Sequence, residues 1–134
     1  MTKVAIIGLG IMGQRMLMHM RSHKNFEPDY LWDPNPLACK NAIKLDPFAQ
    51  IMTNASEAIK QADLVYLACP PAVRESYATE SASSKKALFL EKPLGINIEN
   101  SSTLLKHLKQ YDVPVAVNFT QASGPALADL LYAK

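Results

Sequence analysis

No apolar run in these 134 residues approaches the roughly 20 needed to cross a bilayer. The apolar stretch from Val4 to Met12 is interrupted by Gly8 and Gly10, and Gly13, Gln14 and Arg15 follow it. It has no small-residue cleavage pattern, so it does not read as a secretory leader. Cysteine is scarce: Cys39 and Cys69 stand far apart with no CxxC spacing. That argues against a disulfide framework, fits a reducing compartment and makes a cytoplasmic location the expectation. Excess charge is also small, at +2, which gives no footing for a nucleic-acid partner. Internal repeats, low-complexity tracts and linkers are absent. His19 and His23 lie four apart on a helical stretch, but no third ligand stands near them and no metal site is expected.

What is present is globular. Hydrophobic residues make up 49 % and charged residues 19 %, which excludes a disordered chain. The length suits one domain with a real core. It is short for an enzyme that must enclose both a dinucleotide and a substrate.

Apolar runs alternate with helix-period stretches from end to end. Lys3–Gly8, Tyr30–Asp33, Ala49–Met52, Leu64–Cys69, Ala87–Leu90 and Val115–Phe119 read as strands. Between them, helices are expected over Met12–His23, Pro36–Leu45, Asn54–Ala62, Ala72–Ser83 and Ile98–Gln110, with a last one from Pro125 to Tyr132. Asn54 and Glu57 have capping-box spacing. Six alternations with short joints predict an α/β fold, a doubly wound parallel sheet of six strands flanked by helices.

Gly8-Leu9-Gly10-Ile11-Met12-Gly13 fits G-x-G-x-x-G, and it sits where that pattern is informative, between a strand and a helix. Gly8 permits the tight turn, Gly10 lets backbone approach a pyrophosphate, and Gly13 lets helix pack on strand. The helix start offers unpaired N–H groups to the phosphates. Asp33 ends the second strand 20 residues after Gly13, where a carboxylate meets the adenine ribose hydroxyls. It would repel a 2′-phosphate, which favours NAD over NADP. The same residue also opens a good turn, Asp-Pro-Asn-Pro, and the two roles are compatible.

Two further turns lie at strand ends. Cys69-Pro70-Pro71 suits a rigid strand-to-helix turn and, equally, a wall holding carbonyls toward a nicotinamide ring. Glu91-Lys92-Pro93 follows the fifth strand, where a charged pair should be exposed in the ligand crevice. Residue chemistry alone leans slightly to an ordinary solvated strand end. The other reading has Lys92 orienting a substrate oxygen or assisting proton transfer, with Glu91 fixing it or meeting a ribose.

With the glycine turn, Asp33, Cys-Pro-Pro and Glu-Lys-Pro in this order, the chain resembles the Gfo/Idh/MocA oxidoreductases over essentially its whole length. The Glu-Lys-Pro triplet is the most specific element. The resemblance implies a dinucleotide-binding Rossmann domain over 1–134, from an NAD(P)-dependent oxidoreductase acting on a sugar, a cyclitol or a related polyol. It implies Lys92 as the catalytic residue and Pro70 and Pro71 beside the nicotinamide. It brings Asn118, at the end of strand six, to the nicotinamide side of the cleft. The set expected to hold cofactor is then Gly8, Gly10, Ile11, Met12, Gly13, Asp33, Cys69, Pro70, Pro71, Glu91, Lys92 and Asn118.

Two places depart from the family pattern. Arg74 stands where a histidine is frequent, and Gln121-Ala122-Ser123-Gly124-Pro125 lacks an arginine that many members carry. The resemblance also implies a second α/β domain, with further substrate residues and the homo-oligomer interface, which is absent from this chain. A fragment of a longer enzyme is therefore the first expectation. A stand-alone module that senses dinucleotide without catalysis is the alternative.

Overall fold

The computed structural model describes residues 1–119. The helix expected over 125–132 and the segment 121–125 lie outside the described residues.

The run Lys3-Val4-Ala5-Ile6-Ile7 has β-branched and apolar side chains on both faces, as a fully buried parallel strand requires. It forms β1 (Thr2–Ile7), whose last four residues are buried. The chain then alternates as expected: α1 (Ile11–Ser22), β2 (Phe26–Trp32), α2 (Pro36–Leu45), β3 (Gln50–Ile51), α3 (Ala55–Gln61), β4 (Leu64–Leu67), α4 (Pro71–Ser83), β5 (Ala87–Leu90), α5 (Ile98–Leu108) and β6 (Val115–Val117). Among the described residues all five strand pairings are parallel, in the order β3-β2-β1-β4-β5-β6. The chain winds from β1 out to β3, returns to lay β4 beside β1, and winds the other way. That reversal between β1 and β4 is the topological switch point, where a doubly wound sheet opens a crevice at its carboxyl edge.

Period-2 alternation divides the core in two. Ala5, Ile7, Val65, Leu67, Leu88 and Leu90 meet α3, α4 and α5 on one face. Val4, Ile6, Leu31 and Tyr66 meet α1 and α2 on the other. No helix among the described residues is long and apolar enough to cross a membrane.

β2 begins four residues earlier than the sequence suggests. β2 starts at Phe26, not Tyr30, and takes in Pro28. The β1–β2 register shifts there, with Lys3 opposite Glu27 and Ala5 opposite Tyr30. The extra residue forms a bulge, which is where a sheet tolerates a residue without an N–H. Arg21, from the end of α1, donates to the Pro28 carbonyl and pairs with Asp29 and with Asp46.

The helices begin in two ways. Asn35, Asn54 and Asn97 cap α2, α3 and α5, each side-chain oxygen accepting a backbone N–H of the first turn. α1 starts at Gly10 and α4 at Pro70-Pro71, and neither has a side-chain cap. These two helices follow β1 and β4, the strands that flank the switch point.

Candidate functional site

Gly8 leaves β1 with φ at +97°, a conformation that L side chains rarely adopt. A Cβ there would stand 2.6 Å from the Cys69 backbone nitrogen. At Gly13 a Cβ would stand 1.9 Å from the Gly8 carbonyl oxygen. So Gly13 serves the tightness of the turn itself more than the packing of helix on strand. Gly10 differs from both. Its backbone is extended, and an added Cβ would meet no protein atom within 4 Å. Neither strain nor crowding within the chain calls for glycine at Gly10. What it leaves open is a cradle at the bare start of α1, which fits close approach of a phosphate to backbone.

Asp33, just past β2, is bound to this turn. Its Oδ2 accepts the Leu9 N–H at 2.7 Å and its Oδ1 accepts the Asn35 N–H at 2.7 Å. A carboxylate has about four acceptor positions, so capacity for hydroxyl donors remains. Beside it, Trp32 meets Tyr77 of α4 edge-on, with ring centroids 5.8 Å apart.

These elements enclose one cleft of about 560 Å³ at the carboxyl edge of the sheet. Gly8, Gly10, Met12, Asp33, Cys69, Pro70, Pro71, Glu91 and Lys92 line it together. Among the expected residues, Ile11, Gly13 and Asn118 do not. Ile11 is 74 % exposed outside the cleft wall, and Gly13 lies buried under the turn.

The charged pair at the end of β5 is not uniformly exposed. Lys92 is exposed, but Glu91 is buried at 4 % exposure, which corrects the expectation of an exposed pair. Its Oε1 accepts the Tyr66 hydroxyl at 2.5 Å and also the Asn118 side-chain amide. Its Oε2 accepts the Lys92 N–H at 3.2 Å. A buried carboxylate must be supplied with donors, and here three are in place. Asn118 thus bonds to Glu91 and does not itself line the cleft. Burial, and then the neighbouring Glu91, push the Tyr66 phenol well above its ordinary range, so it remains a donor.

Arg74, on the first turns of α4, is 2 % exposed. Its Nη2 donates to the Cys69 carbonyl at 2.7 Å, and its Nη1 to the carbonyls of Glu91 and Pro93. Burial raises the Cys69 thiol above its ordinary value, with Arg74 pulling the other way. Cys69 stands as a wall residue in thiol form. Cys39 and Cys69 are both free and buried, and among the described residues no group of three potential ligands could hold a metal ion.

Tyr66 belongs to no motif in the sequence, and Arg74 stands out there only as a departure from the family pattern. The Tyr66 signal was there: a phenol in a fully buried strand needs a partner. Val73 and Tyr77, both on the cleft wall, follow the proline turn at helical spacing.

The chain is 26 % identical over 120 residues to a 2,7-anhydro-N-acetylneuraminate hydratase of Escherichia coli (strain K12), covering 84 % of this chain and 30 % of that protein. It superposes on a scyllo-inositol dehydrogenase from Lactobacillus casei with bound NAD(H) and scyllo-inositol, at a TM-score of 0.85 and 18 % identity, covering 97 % of this chain and 40 % of the other. It also superposes, at a TM-score of 0.84 and 17 % identity, on a biliverdin reductase from Synechocystis sp. PCC 6803 in complex with biliverdin and NADP+, covering 98 % and 42 %. The chain thus spans less than half the length of each. Residues 2–119 match the oxidoreductase family with NAD-binding Rossmann fold, and the chain belongs to that family, Gfo/Idh/MocA.

Proposed function

We propose that the cleft binds NAD(H) in preference to NADP(H). We propose further that the whole protein oxidises or reduces a CH–OH group of a sugar, a cyclitol or a related polyol. The observation that carries this reading is that one cleft is lined by both Gly10 and Lys92. The bare helix start and Lys92 thus border the same space.

When bound, NAD supplies the hydride acceptor or, reduced, the donor. The chain's own residues would do the rest. The backbone at Gly10 and the uncapped first turn of α1 bind the pyrophosphate. Asp33 accepts from ribose hydroxyls and disfavours a 2′-phosphate. Pro70 and Pro71 form the wall beside the nicotinamide. Glu91, held by Tyr66 and Asn118, fixes the strand end from which Lys92 projects. Lys92 holds the reacting oxygen and moves its proton. Two buried free thiols suit a reducing, cytoplasmic setting, and we place homo-oligomer formation in the whole protein.

The test is turnover by the full-length protein on a panel of inositols and sugars, followed by the appearance of reduced cofactor. Turnover with NAD that falls by at least about a hundredfold in Lys92→Ala supports the reading. Turnover unchanged in that variant would sink it. The hydratase relative supports a second reading, net addition or removal of water on a sugar-derived substrate. In that case product forms with no net change in the cofactor.

A further inference from the structure

Two arginines of this fold are held in opposite ways. Arg21 is a quarter exposed and pairs with the carboxylates of Asp29 and Asp46. Arg74 is buried, and among the described residues it enters no ion pair. Its partners are backbone carbonyls alone: Cys69 on one loop, and Glu91, Pro93 and Leu94 on another. These carbonyls lie past the ends of β4 and β5, where strand pairing no longer supplies donors. A cation placed in a protein interior is costly unless its donors are used; both terminal nitrogens of Arg74 are used, while its buried Nε–H has no partner among the described residues. Lysine would offer a point charge on a flexible stem, whereas the planar guanidinium spans both loops with one rigid fork. The two loops it joins are the Cys69-Pro70-Pro71 wall and the loop that carries Lys92.

We propose that Arg74 is the positioning residue of this site. It fixes the Lys92 loop against the proline wall, and so sets where the Lys92 amine stands relative to a bound dinucleotide. This rests on the reading that the cleft takes NAD(H) with Lys92 facing it. Arg74 touches neither cofactor nor substrate in this account. It acts through the carbonyls on either side of Lys92. A misplacement of about 1 Å at such a group is enough to cost on the order of a hundredfold in reactivity, so a clamp on the loop has a measurable consequence.

The experiment compares the full chain with Arg74→Lys and Arg74→Gln. Trp32 fluorescence gives the NADH affinity. Acetylation by N-hydroxysuccinimidyl acetate, resolved by site with mass spectrometry, gives the exposure of Lys92 with and without saturating NADH. Lys44, on α2, serves as the reference amine. In the unsubstituted chain NADH should slow acetylation of Lys92 on the order of tenfold and leave Lys44 unchanged. In Arg74→Lys the affinity should stay within about threefold while the protection of Lys92 is lost, because the fork, not the charge, holds the loop. Arg74→Gln keeps the readout available if the lysine variant does not fold. Full protection of Lys92 in either folded, NADH-saturated variant would overturn the proposal. Failure of both variants to fold would also overturn it, by assigning Arg74 to the fold alone. A failure of the functional reading shows elsewhere: the unsubstituted chain would then give no quenching, or quenching without protection of Lys92.

Discussion

Among the described residues, five α-helices start at the same edge of one parallel sheet, and they divide into two kinds. α2, α3 and α5 spend an asparagine side chain on their first turn. α1 and α4 have no such cap. The two uncapped starts belong to the helices after β1 and β4, where the winding direction of the sheet reverses. Unsatisfied N–H groups are tolerated where water or a ligand supplies the acceptor. The capped starts serve the fold, and the bare α1 start faces the cleft. The glycines divide in the same manner. Gly8 and Gly13 are required by the chain itself, and Gly10 is required by nothing within it.

The largest effect on this division is expected at Gly13. Gly13→Ala places a Cβ against the Gly8 carbonyl with no side chain to yield, and should cost about 3 kcal/mol, read as a lower urea midpoint. Gly10→Ala should change stability by less than about 1 kcal/mol yet weaken NADH on the order of tenfold or more. A stability loss at Gly10 comparable to that at Gly13 would erase the distinction. Asn54→Ala is the mirror case, expected to cost about 1 kcal/mol of stability with no change in NADH affinity.

The smallest effect concerns pH. The Tyr66 phenol titrates higher when folded than its ordinary value of 10.0. Above that value the unfolded chain releases a proton that the folded chain keeps, so stability is complete below it and declines as pH rises past it. Tyr66→Phe should flatten that alkaline decline, measured as the urea midpoint against pH. At neutral pH the same variant should cost no more than about 1 kcal/mol, since Glu91 keeps two of its three donors.

Most of this fold is legible in the residues because its determinants are local. The glycine turn, the asparagine caps and the apolar runs each act within a few positions. Pro28 misleads because a proline reads as the end of a strand, and only the register with β1 reveals the bulge that accommodates it. Glu91 misleads for a similar reason. Its burial depends on Tyr66, 25 residues earlier, and on Asn118, 27 residues later. No spacing rule links those three, because they meet only after three strands have aligned. Arg74 was visible as an unusual residue, and its clamp becomes readable only when both loops are in place.

The most direct test is titration of this chain with NADH and with NADPH, following Trp32 fluorescence. Trp32 adjoins Asp33 and lines the cleft, so a reduced cofactor bound there should quench it. NADH is expected to quench it at much lower concentration than NADPH. A folded chain whose Trp32 responds to neither, or that takes NADPH more tightly, would contradict this.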